Sequence, residues 1–297
     1  MARRHPILRG LLWLGGFSAL VVVGAMALVA VGGPDLGERL ALGKTVGVLE
    51  VRGVIQDSAE PVATLEGFRK SDATVAVVLR IDSPGGAVAP SQEIYDAVWR
   101  VREKKPVIAS IGNVAASGGY YIASAAHKIF AAPGSITGSI GAIMDIPYYG
   151  TLADKVGVSE EVVKSGRFKD TGHPLRPMTA DERALLQGMV DDVLAQFVAA
   201  VARGRAMETA RVRALADGRI YSGAQAHAAG LVDELGGLTD ATRAAWEQAG
   251  QTGEPRVSHI KVRHRPWWLD LLGAIALPEP RGVSGGLFYL YRGPVVE

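Results

Sequence analysis

Asn113 to Tyr121, NVAASGGYY, places Ser117 among small residues, where an apolar strand pattern ending near Gly112 gives way to a helical one beginning at Gly118. A helix amino end directs unpaired amide hydrogens at whatever sits there. A serine on such a turn is open to an incoming carbonyl, its small neighbours let a substrate backbone approach, and the next amide faces a developing oxyanion. The chemistry on offer is acyl transfer. Serine is also a common helix cap, and position alone does not choose between the two roles. A second segment, Asp82-Ser83-Pro84-Gly85-Gly86, comes directly after the strand pattern ending at Ile81. Open parallel sheets place ligands at the carboxyl ends of their strands, and glycine amides there can form a nest for negative charge. Gly86 and Gly118 are then two donors for one oxygen, although a proline–glycine run is equally the composition of an ordinary turn.

A serine nucleophile needs a base. His5 precedes the apolar amino-terminal run, His259 and His264 lie in the tail, and His127 sits at a helix–strand corner, which leaves His173 in a polar run and His227 on a helix face. Lysine serves instead if a dry site lowers its pKa from about 10.4 toward neutrality. Lys164 and Lys169 are the candidates by location. No His-Glu-x-x-His or comparable metal spacing occurs, and no Gly-x-x-x-x-Gly-Lys-Ser/Thr phosphate loop. The chain has no cysteine, which removes a thiolate nucleophile, a disulfide framework and a lipid-attachment site. No cofactor and no metal is expected. A net charge of +2, with no basic block interleaved with aromatics, argues against a nucleic-acid partner.

The elements that must hold these residues read as α/β. Thr45–Val51 and Thr74–Ile81 are valine-rich runs typical of strands buried on both faces. Ser91–Glu103 has Ile94, Val98 and Val101 at helical spacing with Ser91 as its cap, and Pro106 opens a strand over Val107–Ile111. Gly118–Ala126 reads as a small-residue helix and Lys128–Ala131 as a short strand ended by Pro133. Thr179 followed by Glu182 is a capping-box signature, opening a long amphipathic helix to about Arg203. Shorter helices are expected over 208–215, Ala224–Ala229 and Leu238–Glu247. With 48% apolar and 21% charged residues, the 297-residue chain has enough apolar material for a sizeable core.

The amino end differs from the rest. Leu11–Gly33 carries no charge and is long enough for the ~30 Å hydrocarbon layer. Arg3, Arg4 and Arg9 precede it, which by the positive-inside rule keeps the amino end cytoplasmic and sends the chain from residue 35 onward across the membrane. Ala25 and Ala27 would suit a cleaved secretory signal, but the apolar run continues past them, so a retained anchor is expected. The last forty residues change character again, with Pro266-Trp267-Trp268, an apolar stretch too punctuated to span a membrane, and a glycine-rich run ending in LFYLYRG.

Ala115–Ala123 and Asp82–Gly86 together resemble signal peptide peptidase A of bacteria and archaea. The resemblance continues through Thr137–Gly141, Lys164–Asp170, Pro177–Thr179, Asp217–Gly223 and Gly230–Glu234, covering roughly residues 45–240. It implies a caseinolytic protease/crotonase-like α/β fold with repeated β-β-α units, preceded by one transmembrane helix. It further implies a serine/lysine-dyad endopeptidase that cleaves released signal peptides, accepting small or apolar side chains next to the scissile bond. In that resemblance Ser117 is the nucleophile, Lys169 rather than Lys164 the general base, Ser139 the hydroxyl that helps position the amine, and Gly86 with Gly118 the oxyanion donors. A membrane-tethered homo-oligomeric ring, an octamer, with serine and lysine taken from neighbouring subunits is also implied. The expected organisation is a cytoplasmic end (1–9), an anchor in the lipid bilayer (10–34), a linker (35–44), an extracytoplasmic protease domain (45–250) and a divergent carboxyl-terminal tail (251–297). Three rivals differ in testable ways. A caseinolytic-protease-like triad needs a histidine about 25 residues after the serine, where Gly141-Ala142-Ile143 offers none; a crotonase-like enzyme has no reason for a membrane anchor; a non-catalytic membrane scaffold predicts no covalent labelling of Ser117.

Overall fold

The structure is a computed structural model that describes residues 43–259 and the strand 288–290; the anchor and most of the linker expected from the sequence lie outside the described residues. The valine-rich runs become β1 (Thr45–Arg52) and β2 (Thr74–Ser83), paired in parallel. β2 in turn pairs in parallel with β4 (Val107–Ala116), while β3 (Gly85–Ala87) splits off just after Pro84. Alternation along these strands supplies two cores. Val46, Val48, Ala76, Val78 and Ile108 face one side, and Leu49, Val77, Leu79, Ala109 and Ile111 the other. A parallel sheet requires cover on both faces. α1 (Ala59–Lys70), α2 (Val88–Arg102) and α3 (Gly118–Ser124) take part in the larger core, and α8 (Leu238–Gln248) covers the smaller one with Ala241, Ala245 and Trp246.

Several boundaries differ from the sequence expectation. The helix expected to start at Ser91 begins at Val88, with Ala87 as its cap; Ser91 is buried inside the first turns and donates to Ala87 O at 2.9 Å. α1 carries no motif and was not anticipated from the sequence. β4 does not stop near Gly112 but runs to Ala116. Its first half pairs with β5 (Lys128–Ala131) and its second with β6 (Ile136–Gly138), so one strand serves two partners in succession. β6 then pairs antiparallel with β7 (Ile220–Ser222), and β5 pairs with β8 (Glu234–Leu235). At the far edge β9 (Val257–His259) pairs in parallel with β1, so the sheet extends past residue 250, where the sequence alone marked the start of the tail.

The short helices α4 (Gly150–Lys155), α6 (Thr209–Leu215) and α7 (Gly223–Ala229) flank α5 (Ala180–Arg205) in the chain. α5 opens with the expected capping box between Thr179 and Glu182. It is the one helix among the described residues long and apolar enough to cross a membrane. Phe197, Val198 and Val201 are fully buried in the larger core, so here it serves as a packing helix. Rings tie it to the site-bearing helix: Tyr121 on α3 lies 5.0 Å from Phe197 and 4.9 Å from Tyr95 on α2, both tilted, a geometry that aromatic pairs favour. Gly204 permits the same approach, because a Cβ there would stand 2.0 Å from the carbonyl oxygen of Ser124 at the end of α3.

Gly204→Ala therefore has to push α5 off α3. Overpacking of this kind costs about 1–3 kcal/mol or more. The variant is expected to show a lower denaturant midpoint at unchanged m-value; a midpoint equal to wild type would show that α5 can shift freely.

Candidate active site

Ser117 is fixed by backbone before its side chain is considered. It comes directly after β4 and precedes α3, with φ 53° and ψ −119°. Its N–H donates to Gly138 O and its carbonyl accepts from Tyr121 N, each at 2.8 Å. Positive φ in a residue with a Cβ is strained and clusters at functional turns. Among the described residues three non-glycines have it: Ala206, which ends α5 as a left-handed cap, Ser117 and Ser139. The side chain of Ser117 makes no capping bond, so the structure gives the ordinary cap role no support.

Ser139 reaches the same place by strand register. Ala116 on β4 pairs with Gly138 on β6, so the two serines each succeed one member of a matched pair. Ser139 N donates to Arg219 O at 2.8 Å, just ahead of β7. Gly138 has φ +81°, and a Cβ on it would meet the Tyr221 ring at 2.5 Å; a larger residue would disturb both Ser139 and the carbonyl that holds Ser117. The segments Thr137–Gly141 and Asp217–Gly223 therefore act as one positioning unit.

Gly86 and Gly118 also converge. A Cβ on Gly118 would lie 3.3 Å from Gly86 N and 2.6 Å from Ser91 Oγ, and a Cβ on Gly86 would lie 2.0 Å from Ile55 O. Only glycine permits this three-way approach of β3, α3 and the Ile55 segment. Segment 82–86 is not a single loop, since β2 runs through Ser83 and β3 begins at Gly85. Ile55 N donates to Gly85 O at 2.9 Å and Ala87 N to Ile55 O at 2.8 Å, leaving the alternate amide of Gly86 turned to the opposite edge. Sequence reasoning missed Ile55 and misassigned Ser91; the SQEIYD pattern around Ser91 looks like a cap because nothing local marks it as buried beside Gly118.

The lysines separate clearly. Lys164 Nζ donates to Asp170 Oδ1 at 2.6 Å, whereas Lys169 is exposed and its amine has no hydrogen-bond or ion-pair partner among the described residues. No hydrogen bond joins Lys169 to Ser117, which is 1% exposed. The stretch that carries Lys169 is nevertheless anchored. Arg176 donates from Nε to Asp170 Oδ2 at 3.0 Å, from Nη2 to the Asp170 carbonyl at 3.1 Å and from Nη1 to Glu182 Oε2 at 2.9 Å. Glu182 also accepts from Thr179 N at 2.9 Å. The α5 capping box is thereby wired to the residue after Lys169. The Arg176 guanidinium, then the Thr179 amide, hold the Glu182 carboxyl down at about 2, and Arg176, then Lys164, hold Asp170 well below the usual carboxylate range. Among the described histidines, His173 Nε2 faces Glu160 at 3.3 Å, and burial, then Arg102, lowers the pKa of His127. Among the described residues no three His, Asp or Glu side chains converge as metal ligands.

A parallel α/β sheet that presents a strained serine at a strand–helix turn, beside paired glycine amides, defines a Clp-protease-like hydrolase. Comparison with known proteins agrees: the sequence profile of Clp protease matches residues 41–137 and that of Peptidase family S49 matches residues 100–252. A Synechocystis sp. chain provisionally named a protease is 43% identical over 209 residues, covering 70% of this chain and 75% of that one. An Enterococcus faecium chain, provisionally named signal peptide peptidase SppA, is 37% identical over 218 residues, 69% of this chain and 63% of its own. The chloroplastic serine protease SPPA of Arabidopsis thaliana is 32% identical over 223 residues, 75% of this chain and 33% of its own. The chain belongs to peptidase family S49 and is a serine peptidase.

Because the Glu182 and Asp170 carboxyls have folded pKa values below their ordinary ones, the stability they contribute is present above about 4.5 and lost as pH falls toward 2. The melting temperature of Arg176→Ala should therefore lie below wild type at pH 7, with the gap closing between pH 4.5 and 2. A gap independent of pH across that range would show that Arg176 acts through packing alone.

Proposed function

We propose that this peptidase is an endopeptidase of released signal peptides that works by a Ser117–Lys169 dyad. The observation that carries the reading is the strained Ser117 turn with the Gly118 and Gly86 backbones converging beside it. In this mechanism neutral Lys169 takes the Ser117 proton as Oγ attacks the peptide carbonyl. The Gly86 and Gly118 amides donate to the oxyanion, the lysinium protonates the leaving amine, and water, deprotonated by the same lysine, hydrolyses the acyl-enzyme. Ser139 orients the amine. Lys164 is a poor candidate for the base because Asp170 holds it as an ion pair. The substrate class comes from the relative named signal peptide peptidase and from the expected anchor at Leu11–Gly33, which would place the catalytic part at the extracytoplasmic membrane surface where such peptides are released.

Lys169 is exposed, Ser117 is buried and no hydrogen bond joins them, which supports a site completed by a second subunit. The segment around Lys169 exposes Tyr149, Leu152, Val156, Val158 and Val163 at 54–95% of their surface, an apolar set suited to burial against another copy. A ring, with an octamer as the expected closure, supplies the lysine of one protomer to the serine of the next.

The test mixes Ser117→Ala protein with Lys169→Ala protein after dissociation. Each alone should be inactive on casein and signal-peptide substrates, Lys164→Ala should retain most activity, and reassembled mixtures should regain a fraction of the wild-type rate. A phosphonate adduct located away from Ser117, or full activity in Lys169→Ala, would refute the dyad. Verified mixed assemblies that stay inactive, with a wild-type monomer that cleaves, would refute the shared site alone.

A further inference from the structure

The central parallel strands all begin at one end of the sheet, opposite the end where Ser117 stands. Thr45 opens β1 beside Thr74, which opens β2, and Val107 opens β4 beside Val77. α1 and α8 finish at this end and Lys104 follows α2 there, around an open depression whose charged lining residues are Arg69, Lys70, Asp72, Lys104 and Lys105, four cations to one acid. Cations near helix carboxyl ends offset the helix dipole, and part of the cluster is explained that way. Lys105 Nζ caps α1, donating to Phe68 O at 2.5 Å and to Ser71 O at 2.6 Å, and Arg69 pairs with Glu66 at 2.7 Å. Lys70 and Lys104 are left over: both are exposed, and neither amine has a hydrogen-bond or ion-pair partner among the described residues.

The path of the chain suggests what these lysines meet. Thr45 N donates to Ala73 O at 2.8 Å, so the chain enters the sheet beside the depression. Only residues 34–44 separate Thr45 from the uncharged run Leu11–Gly33, roughly 40 Å at full extension. That connection carries Asp35, Glu38, Arg39 and Lys44, two acids and two bases, and does not neutralise the cluster. We propose that the surface around Lys70 and Lys104 docks on anionic phospholipid headgroups, standing the domain on the bilayer by its strand-opening end. The proposal rests on the reading of Leu11–Gly33 as a membrane anchor. Each lysine near an anionic surface favours docking about 5-fold, and the tether raises the local concentration of that surface. β4 is 10 residues long, so at about 3.3 Å per residue docking holds Ser117 roughly 30 Å from the headgroups. The site then takes peptides that have left the bilayer in preference to those still embedded in it.

The experiment uses the full chain. It has no cysteine, so Gln248→Cys in the lining of the depression carries a single fluorophore. The protein is reconstituted in nanodiscs of phosphatidylcholine, alone or with phosphatidylglycerol at roughly 7:3, each holding a trace of headgroup-quencher lipid. Quenching should be several-fold stronger in the anionic discs and fall to the neutral level in Lys70→Glu with Lys104→Glu. It should also be released by about 1 M NaCl, where the Debye length is about 3 Å. Casein hydrolysis reports the fold of the double variant, and if that is lost the lipid and salt arms decide alone. Insertion into phosphatidylcholine discs tests the anchor separately, and failure to insert there overturns the anchor and the proposal with it. A chain that inserts but is quenched equally in both lipids overturns the proposal and leaves the anchor standing. Loss of quenching on adding inorganic phosphate at constant ionic strength marks the depression as a pocket for a free anion and also overturns it.

Discussion

The placement of Ser117 depends on how β4 is forced to bend. Ile81 pairs with Ile111 and Ser83 with Ala115, so one residue of β2 lies opposite three of β4, and β4 bulges at Gly112–Val114. The Asp82 side chain fills the gap, with Oδ1 accepting from Val114 N at 3.1 Å. A Cβ on Gly112 would stand 2.9 Å from the Asp82 carboxyl carbon, so the bulge closes only over glycine. Ser135 Oγ donates to Gly112 O at 2.7 Å and satisfies the carbonyl that the bulge leaves over. Bulges re-aim strands next to active sites. Here the re-aimed half of β4 leaves β5, takes β6 as its neighbour, and delivers Ser117 beside Ser139.

That bend sets up the remaining geometry as a series of close approaches. Gly119 passes over the Ser83 carbonyl, Gly118 over Gly86 and Ser91, and Gly204 over the end of α3. Each lets backbone meet backbone where a methyl group would not fit. The aromatic contacts Tyr95–Tyr121–Phe197 and the bond from Tyr120 OH to Leu231 O at 2.9 Å then tie α3 to α2, to α5 and to the Leu231 segment. Strain at Ser117 persists because both its amide and its carbonyl are bonded to rigid neighbours, so relaxing φ would break two hydrogen bonds.

The lysine-bearing stretch is organised on a different principle. Its order comes from charge: Arg176 links Asp170 to Glu182, and Lys164 takes the other Asp170 oxygen. Such a clamp holds backbone position while leaving the Lys169 side chain exposed. The proposed role of Lys169 as a base requires this exposed side chain to be covered by something else, since water stabilises the charged form of an amine. Tyr149, Leu152, Val156, Val158 and Val163, earlier in the same stretch of chain, are also exposed.

Local pattern was enough to read the parallel sheet, the strand–helix turn at Ser117 and the α5 capping box from the amino-acid sequence. The signals were valine runs for strands buried on both faces, small residues around Ser117, and Thr179 three residues before Glu182. The convergence of Gly86 with Gly118 was legible too, because both glycines succeed strands that turned out to be neighbours. Everything else waited for the packed chain. Ser91 reads as a cap until β3 and α3 are seen to bury it, and Ile55 has no signature because its contribution is backbone. The bulge at Gly112 depends on a carboxylate about thirty residues earlier in the chain, and the pairings of β9 with β1 and β10 (Phe288–Leu290) with β3 join segments that no local spacing relates. Periodicity records which face of an element is buried; it holds no information about which distant backbone will satisfy an amide, and that is settled when the strands pair.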